Sequence, residues 1–153
     1  MSDTGIQGCD LCDADGGTTI FRSKKWRVVR VTGIEGEAFP GFCRVIWNEH
    51  IKELTDLSPI DRQRFMEVVF HVETALRASL SPHKMNVASL GNLTPHLHWH
   101  VIPRFADDPA YPKPIWAVNL AVAASLDTLA AKPRHGTENG EWEKALRRAL
   151  QSI

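Results

Sequence analysis

The longest regular pattern in the chain has a helical period. Phe65, Val68, Val69, Val72, Leu76 and Leu80 fall three or four positions apart, which gathers them on one stripe of a helix. Ser58-Pro59-Ile60-Asp61 supplies an N-cap, a proline at the first helical position and an acidic first turn, and Pro82 marks the stop. Shorter apolar runs flank this helix and predict strands over residues 19–22, 26–32, 42–47, 84–90 and 96–103. The second is rich in valine (Val28, Val29, Val31), which suits a pleated surface. Residues 1–18 are expected to be loop. Residues 33–41, with three glycines and Pro40, predict a turn region, and residues 106–114, with three prolines, predict a loop. Two further helices are expected over residues 120–131, through Leu120, Leu126 and Leu129, and residues 141–152, through Trp142, Leu146 and Leu150. The order predicts an α+β fold: an antiparallel sheet with the main helix packed on one face and helices at the C-terminal end.

A length of 153 residues fits a single domain, residues 1–153. Eighteen basic and eighteen acidic side chains give zero formal charge, which excludes gripping a nucleic-acid polymer mainly through a basic surface. A nucleotide ligand needs only a few local donors and stays open. No apolar run approaches the roughly 18 residues of a membrane span. The first fifteen residues lack the apolar stretch of a secretory signal. A cytoplasmic location without membrane partners is therefore expected. Three cysteines are too few for a disulfide framework. Cys9 and Cys12 form a C-x-x-C pair, which in a reducing compartment points to metal or redox chemistry.

From His96 to Val101, polar and apolar residues alternate. On a strand, alternate side chains share a face, so His96, His98 and His100 are expected along one groove, with Leu97, Trp99 and Val101 toward the core. One histidine there would be an ordinary solvated residue. Three in strict alternation point to chemistry, because an imidazole can attack, shuttle a proton or bind a metal near neutral pH. A metal site built from the row alone is an open alternative.

His96-Leu97-His98-Trp99-His100-Val101-Ile102 resembles the H-φ-H-φ-H-φ-φ signature of the histidine-triad (HIT) family, φ being apolar. Pro103-Arg104 resembles the family's bacterial branch of dinucleoside polyphosphate (diadenosine tetraphosphate) hydrolases. The run from Gly41 to His50 resembles the family's strand and turn, and the Cys9/Cys12 pair fits its zinc-binding members. The resemblance covers about residues 9–105, leaving residues 117–153 as a helical extension. It implies cleavage at the α-phosphate of a dinucleoside polyphosphate or nucleoside phosphoramidate. His98 would be the nucleophile that forms a nucleotidyl-histidine, with His96 and His100 handling orientation, protons and charge. It also implies substrate contacts at Asn86, Asn92 and Thr94. Departures are visible: Gly91-Asn92-Leu93-Thr94 stands where relatives often carry G-Q-S/T, Phe42 where they carry histidine, and Thr32 nearest an acidic ribose contact. Three intact histidines speak against the transferase branch, whose last position is glutamine.

Cys9, Cys12, His50 and one triad histidine, His96, make a candidate tetrahedral zinc set, since two thiolates and two imidazoles suit that ion. Such a zinc would be structural, and His98 needs no metal to attack. Cys43 reads as a small apolar strand residue, and His71, His83 and His135 as structural or exposed. Trp116 is read equally as pocket wall or core. A homodimer is expected, both from the resemblance and because Ile60, Met66, Val69 and Ala75 widen the apolar face of the main helix. The competing functional readings are a nucleotide-binding regulatory module with weak or no catalysis and a zinc-dependent hydrolase.

Overall fold

The computed structural model describes residues 5–125 and 140–153. Five strands, β1 (Thr18–Arg22), β2 (Trp26–Arg30), β3 (Cys43–Trp47), β4 (Lys84–Ala88) and β5 (His98–Arg104), form one sheet in the order β1-β2-β3-β5-β4. Every neighbouring pair is antiparallel. Helices are α1 (Asp10–Asp13), α2 (Gly33–Ala38), α3 (Pro59–Leu80), α4 (Leu120–Ser125) and α5 (Glu141–Leu150). The α+β class expected from the sequence is the class observed. Leu126, Leu129 and His135, and residues 126–131 of the helix expected over residues 120–131, lie outside the described residues.

Register divides the sheet into two faces. Val28, Val45 and Trp99 are opposite one another across β2, β3 and β5, and Cys43 is opposite Val101. This face lies under α3, whose Phe65, Val68, Val69, Val72, Leu76 and Leu80 are all buried, as the helical period predicts. Ser58 caps the helix, its Oγ accepting from the Asp61 N–H at 3.1 Å. Trp142, Leu146 and Leu150 of α5 join the same core, covering a second side of α3. Met66 and Ala75 pack against this core and Val69 is fully buried, so three of the four residues thought surplus are spent inside the chain. Ile60 alone stays 64 % exposed.

The opposite face carries Arg27, Val29, Arg44, Ile46, His98, His100 and Ile102. It too is covered, in two patches rather than left open. Cys9 and Leu11 of the N-terminal segment pack on Val29 and Ile46. Phe39, Phe42, Ala110 and Ile115 pack with Val31 and Ile102. Buried Arg27 fastens the N-terminal segment, donating to the carbonyls of Leu11 (2.6 Å) and Asp15 (3.0 Å) and to Asn48 Oδ1 (3.1 Å).

Three elements differ from expectation. Residues 10–13, expected as loop, form the short helix α1. The glycine-rich stretch contains a helix, α2, rather than only turns. A Cβ at Gly36 would fall 2.2 Å from the Val31 carbonyl oxygen, so that glycine permits close approach of α2 to the chain entering it. The fifth strand begins at His98, not His96. Pro95 has no N–H for a ladder, and the His96 N–H bonds the Thr94 carbonyl at 2.8 Å, which closes a tight turn. The row of three histidines is therefore broken after its first member.

Candidate active site

His98 and His100 extend from β5 into the gap between the two apolar patches, their rings edge to face with centroids 4.8 Å apart. They line a cleft of about 680 Å³. Its other walls include Thr32, Glu35 and Arg44, the loop at residues 90–94, and Trp116. The His98 Nδ1–H donates to the His96 carbonyl at 2.6 Å. A carbonyl can only accept, so the proton sits on Nδ1 and a neutral ring keeps its lone pair on Nε2. Burial holds the His98 pKa below its ordinary value, so that neutral form is favoured.

His100 is 6 % exposed and its Nδ1 has no hydrogen-bond partner. Burial first, then the neighbouring His98 and Arg44, push its pKa down to about 3. It packs against the rings of Phe42 (5.6 Å) and Trp116 (5.0 Å). Trp116, open to either reading from sequence, is thus a wall of this cleft and 42 % exposed.

His96 lies outside the cleft. Its Nε2–H donates to the Trp47 carbonyl at 2.6 Å, which presents the Nδ1 lone pair to the cysteines. Nδ1 is 3.5 Å from Cys9 Sγ and 3.4 Å from Cys12 Sγ, and Cys12 Sγ is 3.3 Å from His50 Nδ1. Ligand atoms of Cys9, Cys12, His50 and His96 all lie within 4.8 Å of one another, a cluster that could hold a metal ion. Burial lowers the pKa of His96, leaving the neutral ring that ligation requires. With both nitrogens of His96 engaged, its link to the cleft is through its backbone carbonyl.

The family model described as HIT domain matches residues 34–107. Over this segment, just under half of its length, the chain is similar to a HIT domain. Histidine triad proteins share its fold. One from Bradyrhizobium japonicum has a TM-score of 0.65 at 24 % identity, covering 89 % of this chain and 92 % of that one. A second, from Marinobacter aquaeolei VT8, has a TM-score of 0.61 at 23 % identity, covering 90 % and 88 %. A hypothetical histidine triad nucleotide-binding protein from Sulfolobus tokodaii strain7 has a TM-score of 0.56 at 16 % identity, covering 94 % and 91 %. No curated protein matches the chain significantly.

The remaining site candidates divide. Asn92 and Thr94 line the cleft. The Thr94 hydroxyl donates to Asp10 Oδ2 at 3.3 Å, joining the loop before β5 to α1. Asn86 shares the sheet face of His100 but stands opposite Ile102, one ladder step further, and is not a wall of the cleft. Its Oδ1 accepts from Arg104 Nη1 at 2.7 Å, and Arg104 in turn is paired with buried Asp108 at 2.7 Å. Cys43 is fully buried in the core, where desolvation raises its pKa. Arg44 and Glu35 are among the wall residues that escaped the sequence reading. Arg44 is opposite His100 in register, and Glu35 enters from α2 to pair with it at 3.3 Å. A lone arginine within the otherwise apolar third strand was the available signal.

Proposed function

We propose that the protein is a nucleotide hydrolase that cleaves at the α-phosphate of dinucleoside polyphosphates or nucleoside phosphoramidates through a covalent histidine intermediate. The observation that carries this reading is the His98 Nδ1–H bond to the His96 carbonyl, which fixes the tautomer a nucleophile needs. His98 Nε2 bonds to the α-phosphorus while the bond to the bridging oxygen or amide nitrogen breaks, its electron pair leaving with that atom. Water then displaces Nε2, releasing the nucleoside monophosphate and restoring the neutral ring. His100 abuts the His98 ring and keeps an unpartnered Nδ1. That position suits it to accept or return the proton as charge develops. His96 contributes by position, through its carbonyl. Asn92 and Thr94 stand where they can meet phosphate or leaving-group oxygens, and Asn86 supports β5 through Arg104.

The donor cluster fits zinc. Bonds of about 2.3 Å to sulfur and 2.0–2.1 Å to nitrogen place tetrahedral ligands about 3.3–3.8 Å apart, and the observed S···N separations are 3.3–3.5 Å. Cys9, Cys12, His50 and His96 would hold it, and the ion would fasten the N-terminal segment to the turn preceding β5. The functional unit in this reading is a homodimer.

A second reading, nucleotide binding with weak or no turnover, is favoured by one feature: the Thr94 hydroxyl is engaged with Asp10. Purified protein incubated with diadenosine tetraphosphate or an adenosine phosphoramidate, followed by intact mass measurement, separates the two. Turnover, a trapped adenylylated species, and loss of both in His98→Ala are expected, with nucleotide affinity kept within about tenfold. Binding without turnover favours the second reading, and a His98→Ala variant above a tenth of wild-type activity removes His98 as nucleophile.

A further inference from the structure

We propose that Arg44 is the anion-binding group of the cleft, exchanging Glu35 for phosphate oxygens when a ligand enters. The inference deepens the nucleotide reading and rests on it for the identity of the anion. Arg44 is the only lysine or arginine among the described residues lining the cleft. It stands directly opposite His100 on the neighbouring strand, and His98 is its diagonal neighbour. Diagonal positions on a sheet are about 7–8 Å apart at the backbone, so a guanidinium there reaches oxygens of a phosphate seated at His98.

The hydrogen bonding of Arg44 is incomplete. Nη1 donates to the Gly16 carbonyl at 3.1 Å and Nη2 to Glu35 Oε2 at 3.3 Å. Charged pairs of this kind close to about 2.7–2.9 Å when well formed, so the Glu35 contact is loose. Nε is buried and has no partner at all. A half-buried cation with a long ion pair and an unpartnered donor is poorly served by its own protein, because desolvation is costly unless the donors are met. A phosphate supplies several acceptor oxygens to the planar fork that Arg44 presents. His100 does not replace it as a fixed charge, being held neutral by burial. Glu35 then has a defined part: it pairs with Arg44 in the free protein and competes with the ligand.

The alternative is that Arg44 merely ties α2 to the sheet. Calorimetric titration of the full-length protein with inorganic pyrophosphate, adenosine monophosphate and adenosine tells the two apart. Arg44→Gln should weaken pyrophosphate and adenosine monophosphate by about tenfold or more and leave adenosine within twofold. Arg44→Lys, which keeps the charge but not the fork, should fall between. Glu35→Gln should tighten both anions severalfold, and it keeps the inference testable if Arg44→Gln does not fold. Equal losses for all three ligands in Arg44→Gln, or anion affinity unchanged in it, would overturn the inference. So would weaker anion binding in Glu35→Gln. Arg44-dependent pyrophosphate binding in a protein that ignores adenosine would keep the inference and sink the nucleotide reading.

Discussion

What a histidine can do depends on what its two nitrogens meet, and the three histidines differ in that respect. Both nitrogens of His96 are engaged, one of His98's is fixed by a carbonyl, and Nδ1 of His100 meets nothing. The last case has a consequence for stability. In the unfolded chain His100 takes its ordinary pKa of about 6.5, whereas in the fold it titrates at about 3. Between those values the unfolded state binds more protons, so stability is fully present above about pH 6.5 and is lost as pH falls toward 3. The slope from one such group approaches about 1.4 kcal/mol per pH unit. Carboxylates add their own acid dependence, so the useful quantity is the difference between wild type and His100→Gln. Denaturant unfolding at pH 7.5, 6 and 5 should show the variant losing less stability on acidification. Parallel curves for the two proteins would mean that His100 is not buried as a neutral ring.

Elements were legible from sequence where one face of one segment decides the pattern. The stripe of α3 and the three anchors of α5 needed nothing but helical spacing and burial. The start of β5 was misplaced because alternation continues through His96, while Pro95 and the turn bond to Thr94 end the ladder two residues later. Helix α2 was hidden because Gly36 looks like a turn residue until the Val31 carbonyl is seen against it. Arg44 could not be set beside His100 in advance, since register across β3 and β5 is a long-range property, and its pairing with Glu35 was hidden along with α2. The candidate metal-ligand set was legible by residue type, and the fold brings its four members together from the N-cap and body of α1, the segment after β3 and the turn before β5. That convergence makes a prediction at the scale of the N-terminal element. Its own core is small, four buried residues with Cys12 beside them. Much of its attachment should therefore come from bound metal. Purified protein should carry about one zinc per chain, and Cys9→Ser with Cys12→Ser should release it and lower the melting temperature by roughly 5 °C or more. Elemental analysis finding no metal in protein never exposed to chelator would count against the site.

At the scale of the whole molecule, the sheet is covered on both faces, and what remains uncovered is localised. No helix among the described residues is long and apolar enough to cross a membrane. On α3, Ile60 and Phe70 are 64 % and 50 % exposed, on the side that neither the sheet nor α5 takes. Leu93, at the lip of the cleft, is 99 % exposed, and Leu90 and Trp116 beside it are 54 % and 42 % exposed. Strand β4 is a sheet edge, with one side of its ladder unpaired by any other strand among the described residues. Exposed aromatic and aliphatic groups on a helix face and around a cleft are what a two-fold contact buries most economically. The expectation is therefore a homodimer burying at least about 1,200 Å² in total, the lower end for a stable interface. Light scattering at micromolar concentration should return twice the chain mass of 17.1 kDa. Phe70→Glu, which puts a charge in the exposed helix face, should shift the protein toward the monomer without lowering its helical content. A wild-type protein that scatters as a 17.1 kDa particle would rule the dimer out. A dimer indifferent to Phe70→Glu would move the interface to the edge strand and the lip of the cleft.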